Sequence, residues 1–251
     1  MRKFFVENDN INLIKNEILI EGQDVNHIKN VLRLDVQEKI LICDKFNFKN
    51  YICKIDVLNT DNIICSIVEE TSGNAEGNVE LHIFQGLPKA DKMELVIQKG
   101  TELGISKYIP VKLSRCIVKL DGKDEAKKIE RWQKISEVAA KQSGRDRVPE
   151  IERLNSWKDV ALKISDYDLF LIAYEEEKDN TLKKELKELK EIKNNYKVAC
   201  LVGPEGGLTI DEVQFLKENG AKVITLGNRI LRTETVAMYI ASTVMYELEM
   251  N

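Results

Sequence analysis

The sequence predicts an α/β fold with a mostly parallel sheet, preceded by a small β-barrel domain. Short strand-like segments dominate the first 70 residues, whereas strands and helices alternate over the rest of the chain. A stretch of small and polar residues, 71–78, separates the two patterns and is typical of a linker. We therefore predict two domains, residues 1–72 and 73–251.

The first domain is predicted to contain five strands and one helix. Between the strands, the spacing of Val25, Ile28 and Leu32 places them on one face of a helix over Asp24–Arg33. Many short strands with one helix favour a small barrel. The strand segments, which concentrate Ile, Val, Phe and Cys, are Arg2–Val6, Glu17–Ile20, Glu38–Asp44, Tyr51–Val57 and Asn62–Val68.

The second domain is predicted to alternate strands with amphipathic helices. Such alternation favours a parallel sheet, whose ligand sites lie at the carboxyl ends of the strands. The strand segments are Glu80–Gln85, Tyr108–Val111, Asp168–Tyr174, Lys197–Val202 and Lys222–Leu226. The helical segments are Ala90–Leu103, Asp124–Gln142, Thr181–Asn194, Thr209–Asn219 and Thr233–Met250.

The charge distribution is uneven along the chain. The 251 residues carry a net charge of −4, yet residues 86–147 hold fifteen Lys or Arg against nine Asp or Glu, a net +6. The flanking residues 1–72 and 148–196 are each net −3, with nine basic and twelve acidic side chains. A local basic segment is typical of a phosphate-binding face, and equally of a solvated helix surface.

The composition of the chain bears on its expected cellular location and on whether it binds a metal. The start of the chain lacks the apolar run of a signal peptide, and the apolar segments are too short to span a membrane, so we expect a cytoplasmic protein with no membrane partner. Five cysteines without a Cys-x-x-Cys pair, and two distant histidines, predict no metal site.

Two glycine-containing loops are the most informative local features. The first, residues 201–209 (Leu-Val-Gly-Pro-Glu-Gly-Gly-Leu-Thr), links a strand to a helix, and Thr209 with Glu212 forms a capping-box pattern. Glycines let the backbone approach a ligand closely, although a tight turn alone would also need them. The loop lacks the lysine and hydroxyl of a phosphate-binding loop, which makes a nucleotide-dependent α/β enzyme a distant alternative.

The second loop, residues 226–232 (Leu-Gly-Asn-Arg-Ile-Leu-Arg), repeats the strand-to-helix arrangement. We expect the two strand ends to be adjacent and to offer backbone donors and acceptors to one small molecule, with Arg232 and Glu234 beside it. Backbone groups and an apolar wall of Leu201, Leu226, Ile230 and Leu231 suit a neutral adenine ring, and few fixed charges suit a ligand that is itself a cation.

These loops resemble the cofactor loops of the ribosomal RNA uracil-N3 methyltransferases, a family of the SPOUT superfamily. Three further segments are similar to the same family: 89–104, 139–149 (with Gln-Ser-Gly-Arg at 142–145), and His27 with Val31-Leu32-Arg33. Together the segments cover almost the whole chain. One departure is Gly100, where the family pattern leads us to expect alanine, and which lowers helix propensity.

The resemblance implies a PUA-like barrel that binds RNA, followed by a SPOUT domain with a trefoil knot. It further implies S-adenosylmethionine (SAM) as cofactor, a homodimer, and methylation of 16S ribosomal RNA of the small subunit. The last helix carries an apolar stripe of Val236, Ile240, Val244 and Leu248, which suits either a dimer contact or ordinary core packing. The residues expected to bind SAM are Leu201, Gly203, Pro204, Glu205, Gly206, Leu226, Gly227, Ile230, Leu231 and Thr235.

Methylation of uracil N3 requires removal of its proton, so the site has to stabilise an anion and accept a proton. We predict Arg232 for the first role and Glu205 or Glu234 for the second. Structural roles compete: an acid is favoured in the first turn of a helix, where Glu234 falls, and Glu205 is also suited to ordering its loop.

Residues expected to contact RNA lie mostly in the basic segment. Arg145 follows Ser143-Gly144, which breaks the preceding helix and is expected to project the guanidinium from a turn. For single lysines, a solvated surface role is the competing interpretation. The predicted RNA contacts are Arg33, Lys89, Lys92, Arg115, Gln142, Ser143 and Arg145.

Two other functions compete with this interpretation. One is a SPOUT enzyme that methylates another RNA position, such as a ribose 2′-hydroxyl. The other is a non-catalytic RNA-binding or ribosome-assembly factor that keeps the loops only as turns. The methylated nucleoside discriminates the first, and SAM binding discriminates the second.

Overall fold

The computed structural model describes residues 1–45, 47–73, 75–120, 122–190 and 195–249. Parts of the predicted linker and of two predicted helices, at residues 74, 191–194 and 250, lie outside these ranges. The chain forms two compact units. The first contains Met1–Glu76 and Lys141–Val148, and the second contains Gly77–Ala140 and Pro149–Asn251.

The first unit is built on a six-stranded sheet in the order β1-β4-β5-β6-β3-β2. The pair β1–β4 is parallel, and the other pairs are antiparallel. All five predicted strands are confirmed, while the two-residue β2 was too short to predict. The strands are β1 (Lys3–Val6), β2 (Ile11–Asn12), β3 (Glu17–Glu21), β4 (Lys39–Asp44), β5 (Asn50–Leu58) and β6 (Asn62–Thr71).

The first unit also contains short helical turns and one apolar core cluster. A 3-10 turn covers Asn8–Asn10, and helix α1 (Gln23–Asn26) continues as a π-helical turn over His27–Val31. Alternate residues of the strands point inward, as Ile18 and Ile20 of β3 do, and both are fully buried. Burying each such side chain stabilises the unit by about 1.5–3 kcal/mol.

Residues Lys141–Val148 belong to the first unit because of a buried polar cluster around Asp146. Its carboxylate accepts hydrogen bonds from Lys3 Nζ at 2.7 Å, from Asn50 Nδ2 at 2.6 Å and from the Ala75 backbone N–H at 2.8 Å. Although burial opposes ionisation, these donors hold the pKa of Asp146 below its usual range. Local sequence patterns contain no signal for these long-range partners.

The second unit is built on a parallel sheet in the order β10-β8-β7-β12-β11-β13, with β9 also paired to β8. The predicted α/β architecture with a mostly parallel sheet is thereby confirmed. The short β9 and β10 had no predicted counterpart. The strands are β7 (Val79–Gly86), β8 (Lys107–Lys112), β9 (Glu150–Ile151), β10 (Asn155–Ser156), β11 (Leu169–Ala173), β12 (Tyr196–Val202) and β13 (Lys222–Ile224).

Helices pack against this sheet, and all five helices predicted for it are present. A helix over Trp157–Lys163 and a 3-10 turn at Ile164–Asp166 were not predicted. Among the described residues, no helix is long and apolar enough to cross a membrane. The helices are α2 (Lys92–Glu102), α3 (Gly122–Ser143), α4 (Trp157–Lys163), α5 (Leu182–Lys190), α6 (Ile210–Glu218) and α7 (Thr233–Leu248).

The core of the second unit consists of two apolar clusters that divide alternate strand residues between them. In β12, Cys200 and Val202 belong to the cluster that contains α2, α5 and α7, whereas Leu201 belongs to the cluster with α4 and α6. In the α7 stripe, Ile240, Val244 and Leu248 are buried in the first cluster and serve core packing, whereas Val236 is only partly buried.

Candidate active site

A pocket of about 610 Å³ lies in the second unit, where strands β11, β12 and β13 end. Its volume is in the range of pockets that bind cofactor-sized molecules. Because the three strands are parallel, the loops that follow them meet at one edge of the sheet. These strand ends and loops supply most of the lining: residues 173–175 and 178 from the end of β11 onward, residues 202–205, 207 and 208 from the end of β12 onward, and residues 225–232 after β13.

The loop after β12 is closed by a turn and capped by the next helix. Gly207 adopts φ +69°, which favours glycine, and its N–H donates to the Pro204 carbonyl at 2.9 Å. The predicted capping box at the start of α6 is confirmed, with Thr209 and Glu212 bonded reciprocally. The buried Glu212 also accepts from the Ser114 N–H at 2.7 Å, which fixes the loop from a second side.

The loop after β13 exposes backbone to the pocket. Gly227 has φ +103°, and a Cβ built on it would meet no heavy atom within 4 Å. The two glycine loops are linked through Thr233, the first residue of α7. Its hydroxyl donates to the Gly203 carbonyl at 2.7 Å and accepts from Gln85 Nε2 at 2.8 Å. The buried Gln85 thus anchors both loops to the end of β7.

A third loop, after β11, was missed in the sequence. The prediction that β12 and β13 are adjacent is wrong, because β11 lies between them. Its following residues Tyr174, Glu175 and Lys178 therefore line the pocket. The signal was present, since β11 was itself a predicted strand and every parallel strand end is a candidate ligand site.

Seven of the ten residues predicted to bind the cofactor line the pocket. Leu201, Gly206 and Thr235 do not line it. The Leu201 side chain is fully buried in the opposite apolar cluster, and Val202 takes its place because adjacent strand residues point to opposite faces. Thr235 and Gly206 are exposed outside the lining. The seven are Gly203, Pro204, Glu205, Leu226, Gly227, Ile230 and Leu231.

Two of the three predicted catalytic side chains, Arg232 and Glu205, reach the pocket. Arg232 is the exposed N-cap of α7, and Glu205 accepts from Lys92 Nζ at 2.8 Å and from the Lys89 N–H at 3.0 Å. Burial raises the pKa of Glu205, but these hydrogen bonds outweigh it and hold that pKa below its usual value. Glu234 is outside the lining, with Oε2 3.6 Å from Lys92 Nζ.

The predicted RNA contacts differ in their burial and in their partners. Arg145 does not project from a turn: it is buried, and its Nε and Nη2 donate to the carboxylate of Glu76. Arg115 donates to the Gly206 carbonyl at 2.9 Å, and Lys92 lines the pocket. The exposed candidates are Arg33, Gln142 and Ser143 in the first unit and Lys89 and Arg115 in the second.

Most cysteines and both histidines lie away from the pocket. Burial raises the pKa of Cys43, Cys53, Cys65 and Cys200 to about 12, so these thiols are uncharged and unreactive at neutral pH. Burial likewise lowers the pKa of His82 to about 4. No group of three metal-ligating side chains is found in the described part of the chain.

The site combines backbone-rich loops and an apolar wall with charged side chains that include Arg232 and Glu205, and comparisons with known proteins give its class. A family model described as "RNA methyltransferase domain" matches residues 75–245. The chain belongs to this family.

The chain is also similar over its full length to particular members. It is 37% identical to "Ribosomal RNA small subunit methyltransferase E" of Bacillus subtilis, an alignment that covers 100% of this chain and 98% of the relative. A crystal structure of the enzyme of that name from Neisseria gonorrhoeae, bound to S-adenosyl methionine, superposes with TM-score 0.84 at 29% identity, covering 98% and 97% of the two chains. A putative methyltransferase from Legionella pneumophila in complex with SAM gives TM-score 0.83 at 26% identity, covering 98% of each chain.

Proposed function

We propose that this protein transfers the methyl group of SAM to N3 of a uridine in 16S ribosomal RNA of the small subunit. The observation that carries the proposal is the pocket formed by the three strand-end loops, in which Arg232 and Glu205 border a backbone-rich and apolar cavity. The ribosomal RNA methyltransferase relatives and the SAM-bound neighbours support it. This substrate would be met in the cytoplasm.

The residues of the pocket fit SAM. Open backbone at Gly227 offers hydrogen bonds to the edge of an adenine ring, and Leu226 and Leu231 supply an apolar wall. Ile230 lines the pocket while 90% exposed, as expected of a side chain that a ligand covers. SAM supplies an activated methyl group on a sulfonium, so the chain itself has to orient the acceptor and manage one proton.

The chemistry assigned to the side chains is anion stabilisation and proton transfer. Arg232 would hold the carbonyl oxygens of the uridine as negative charge develops on the ring. Glu205 is favoured over Glu234 as proton acceptor because only Glu205 lines the pocket. Against the opposing effect of burial, the hydrogen bonds from Lys92 and Lys89 hold the pKa of Glu205 below its usual value, so its carboxylate is ionised and able to accept a proton. Lys89 and Arg33, both exposed, would contribute phosphate contacts.

The resemblance also leads us to propose finer features of the architecture. The first unit would be a PUA-like barrel that binds RNA, and the second would contain the trefoil knot. The active form would be a homodimer. Helix α7 supports this last proposal, because its side chains Tyr239 and Tyr246 are 41% and 70% exposed beside the buried stripe. Sedimentation velocity tests it: Tyr246→Glu should shift a dimer toward monomer.

The decisive experiment combines isotope-labelled SAM with small ribosomal subunits that lack the modification. After incubation the RNA is digested, and its nucleosides are separated and identified by mass spectrometry. We expect labelled 3-methyluridine with the wild-type protein and a loss of about 100-fold or more with Arg232→Ala. Arg153→Ala is the matched control, since Arg153 is exposed and lies outside the pocket lining.

Other outcomes overturn specific parts of the proposal. Label on a ribose or on another base would retain the methyltransferase and refute the substrate. Absence of SAM binding by isothermal titration calorimetry would refute catalysis and favour an RNA-binding assembly factor.

A further inference from the structure

Lys92, the first residue of α2, lies between two carboxylates that come from different parts of the chain. Its Nζ is 2.8 Å from Glu205 Oε1, in the loop after β12, and 3.6 Å from Glu234 Oε2, in the first turn of α7. The Lys92 side chain also lines the pocket. One ammonium therefore connects α2, the loop after β12 and α7 at the edge of the proposed active site.

The two contacts differ in kind. The contact with Glu205 is a charge-assisted hydrogen bond, and the Lys89 N–H donates to the same oxygen at 3.0 Å. The contact with Glu234 is longer, and Glu234 Oε2 is buried with no hydrogen-bond donor among the described residues. An unsatisfied buried carboxylate oxygen is costly unless a cation stands nearby, so Glu234 favours keeping the ammonium where it is.

We infer that Lys92 is a positioning residue for the methyl transfer proposed above: Glu234 holds its ammonium, and the ammonium holds the Glu205 carboxylate where it can take the proton of uracil N3. This inference rests on the proposed function. In the step, the N3–H bond breaks and its proton passes to Glu205. The N3–methyl bond forms as the methyl–sulfur bond breaks, and that electron pair stays on the sulfur.

This role replaces the phosphate contact first predicted for Lys92. An ammonium that already pairs with two carboxylates attracts an RNA phosphate only weakly. The same ion pair can orient the Glu205 carboxylate at the pocket. The hydrogen bond that Lys92 donates to Glu205, together with the charges of both glutamates, raises the pKa of Lys92 above its ordinary value against the opposing effect of burial. The ammonium therefore stays charged over the pH range in which a carboxylate titrates.

Other charges also border the cluster and would contribute to its titration. Arg115 bonds the adjacent Gly206 carbonyl, and the remaining charged groups line the same pocket. All of them stay in place in a Lys92 variant, so a change in that variant reports on the ammonium. The groups that line the pocket are Glu175 and Lys178 after β11 and Arg229 and Arg232 after β13.

The test compares Lys92→Met with Lys92→Arg, which restores the cation. Lys99→Met is the matched control, because Lys99 is also in α2 and also pairs with a glutamate, Glu102 at 2.8 Å, outside the pocket lining. One readout is the titration of the Glu205 carboxyl by NMR of protein with carbon-13-labelled glutamate, assigned through Glu205→Gln. The other is the single-turnover rate of uridine methylation as a function of pH.

We expect Lys92→Met to raise the pKa of Glu205 and to move the acidic limb of the rate profile toward higher pH in parallel. The plateau rate should fall by about 10- to 100-fold, since a misplaced reacting group costs this much. Lys92→Arg should recover both, and Lys99→Met should match the wild type. Glu234→Gln, which leaves the direct Glu205–Lys92 contact in place, should produce a smaller effect in the same direction.

Two results would overturn the inference. An unchanged Glu205 titration in a folded Lys92→Met protein would show that the ammonium does not control the carboxylate. A shifted titration with an unshifted rate profile would show that Glu205 is not the acceptor, while uridine methylation itself stands. A wild-type protein that gives the NMR result but methylates no uridine would instead refute the proposed function, and with it the catalytic role of Lys92.

Discussion

Gly86, the last residue of β7, lies against the backbone of the loop after β12. Its replacement by alanine should weaken SAM binding. A Cβ at this position would lie 2.7 Å from Pro204 Cδ, 2.8 Å from Pro204 N and 2.6 Å from Leu113 Cδ1. The φ angle of Gly86 is not in the left-handed region, so the alanine would be strained by contacts and not by its own backbone.

The magnitude follows from the distances. Ordinary contact begins near 3.4 Å, so the backbone at Pro204 has to move by about 0.6 Å. Crowding of this kind costs about 1–3 kcal/mol. The free protein can relieve it by displacing the loop, but ligand binding requires the loop to return. We therefore expect SAM affinity to fall by about 5- to 150-fold in Gly86→Ala.

Isothermal titration calorimetry measures this loss, and Gly100→Ala provides the control. A Cβ on Gly100 would lie 2.5 Å from Ile105 Cδ1 and 2.5 Å from Tyr108 Oη, so it is equally crowded, but within the core and outside the pocket lining. This variant should alter the melting temperature and leave SAM affinity unchanged. If Gly86→Ala bound SAM as tightly as the wild type, close packing of the loop would not be what shapes the site.

Three further predictions concern stability. Thr209→Ala removes the N-cap of α6 and should lower the free energy of unfolding in urea by about 1 kcal/mol, whereas Thr209→Ser should not. Arg145→Met leaves the Glu76 carboxylate with its two backbone donors, the N–H groups of Asp146 and Arg147, and should cost about 1.5–3 kcal/mol; a loss below about 1 kcal/mol would contradict the buried pair. Because the folded-state pKa of His82 is lowered to about 4 from 6.5, the unfolded chain binds more protons between these values. Stability should therefore be complete above pH 6.5 and fall toward pH 4, and His82→Asn should lose this part of the decline.

The sequence was sufficient where structure depends on near neighbours. The glycine loops, the capping box at Thr209 and Glu212, and nearly all strands were predictable, because turn residues and hydrophobic periodicity act over a few positions. The division of β12 residues between two apolar clusters also follows from the alternation of side chains along a strand. The prediction of Leu201 as a cofactor contact did not take this alternation into account.

The sequence was insufficient where partners are far apart in the chain. Arg145 lies 69 residues from Glu76, and Lys92 lies 113 residues from Glu205, so neither pair leaves a local pattern. Both side chains were predicted as RNA contacts, Lys92 because it lies in the basic segment and Arg145 because it follows the helix-breaking Ser143-Gly144. The placement of β11 between β12 and β13 is likewise a long-range choice, and it brought an unpredicted loop, including Glu175, into the site.

Residues 141–148 belong to the first unit although they follow much of the second unit in the chain, and this affects both folding during synthesis and the design of fragments. During synthesis, the N-terminal sheet can form its own strands early, but Lys3 and Asn50 lack their common carboxylate until Asp146 has emerged. A fragment ending at Glu76 would lack it permanently and would leave Asn50 buried without this acceptor. The N-terminal unit is therefore inseparable from the segment that follows α3, and RNA-binding studies of that unit require the longer chain.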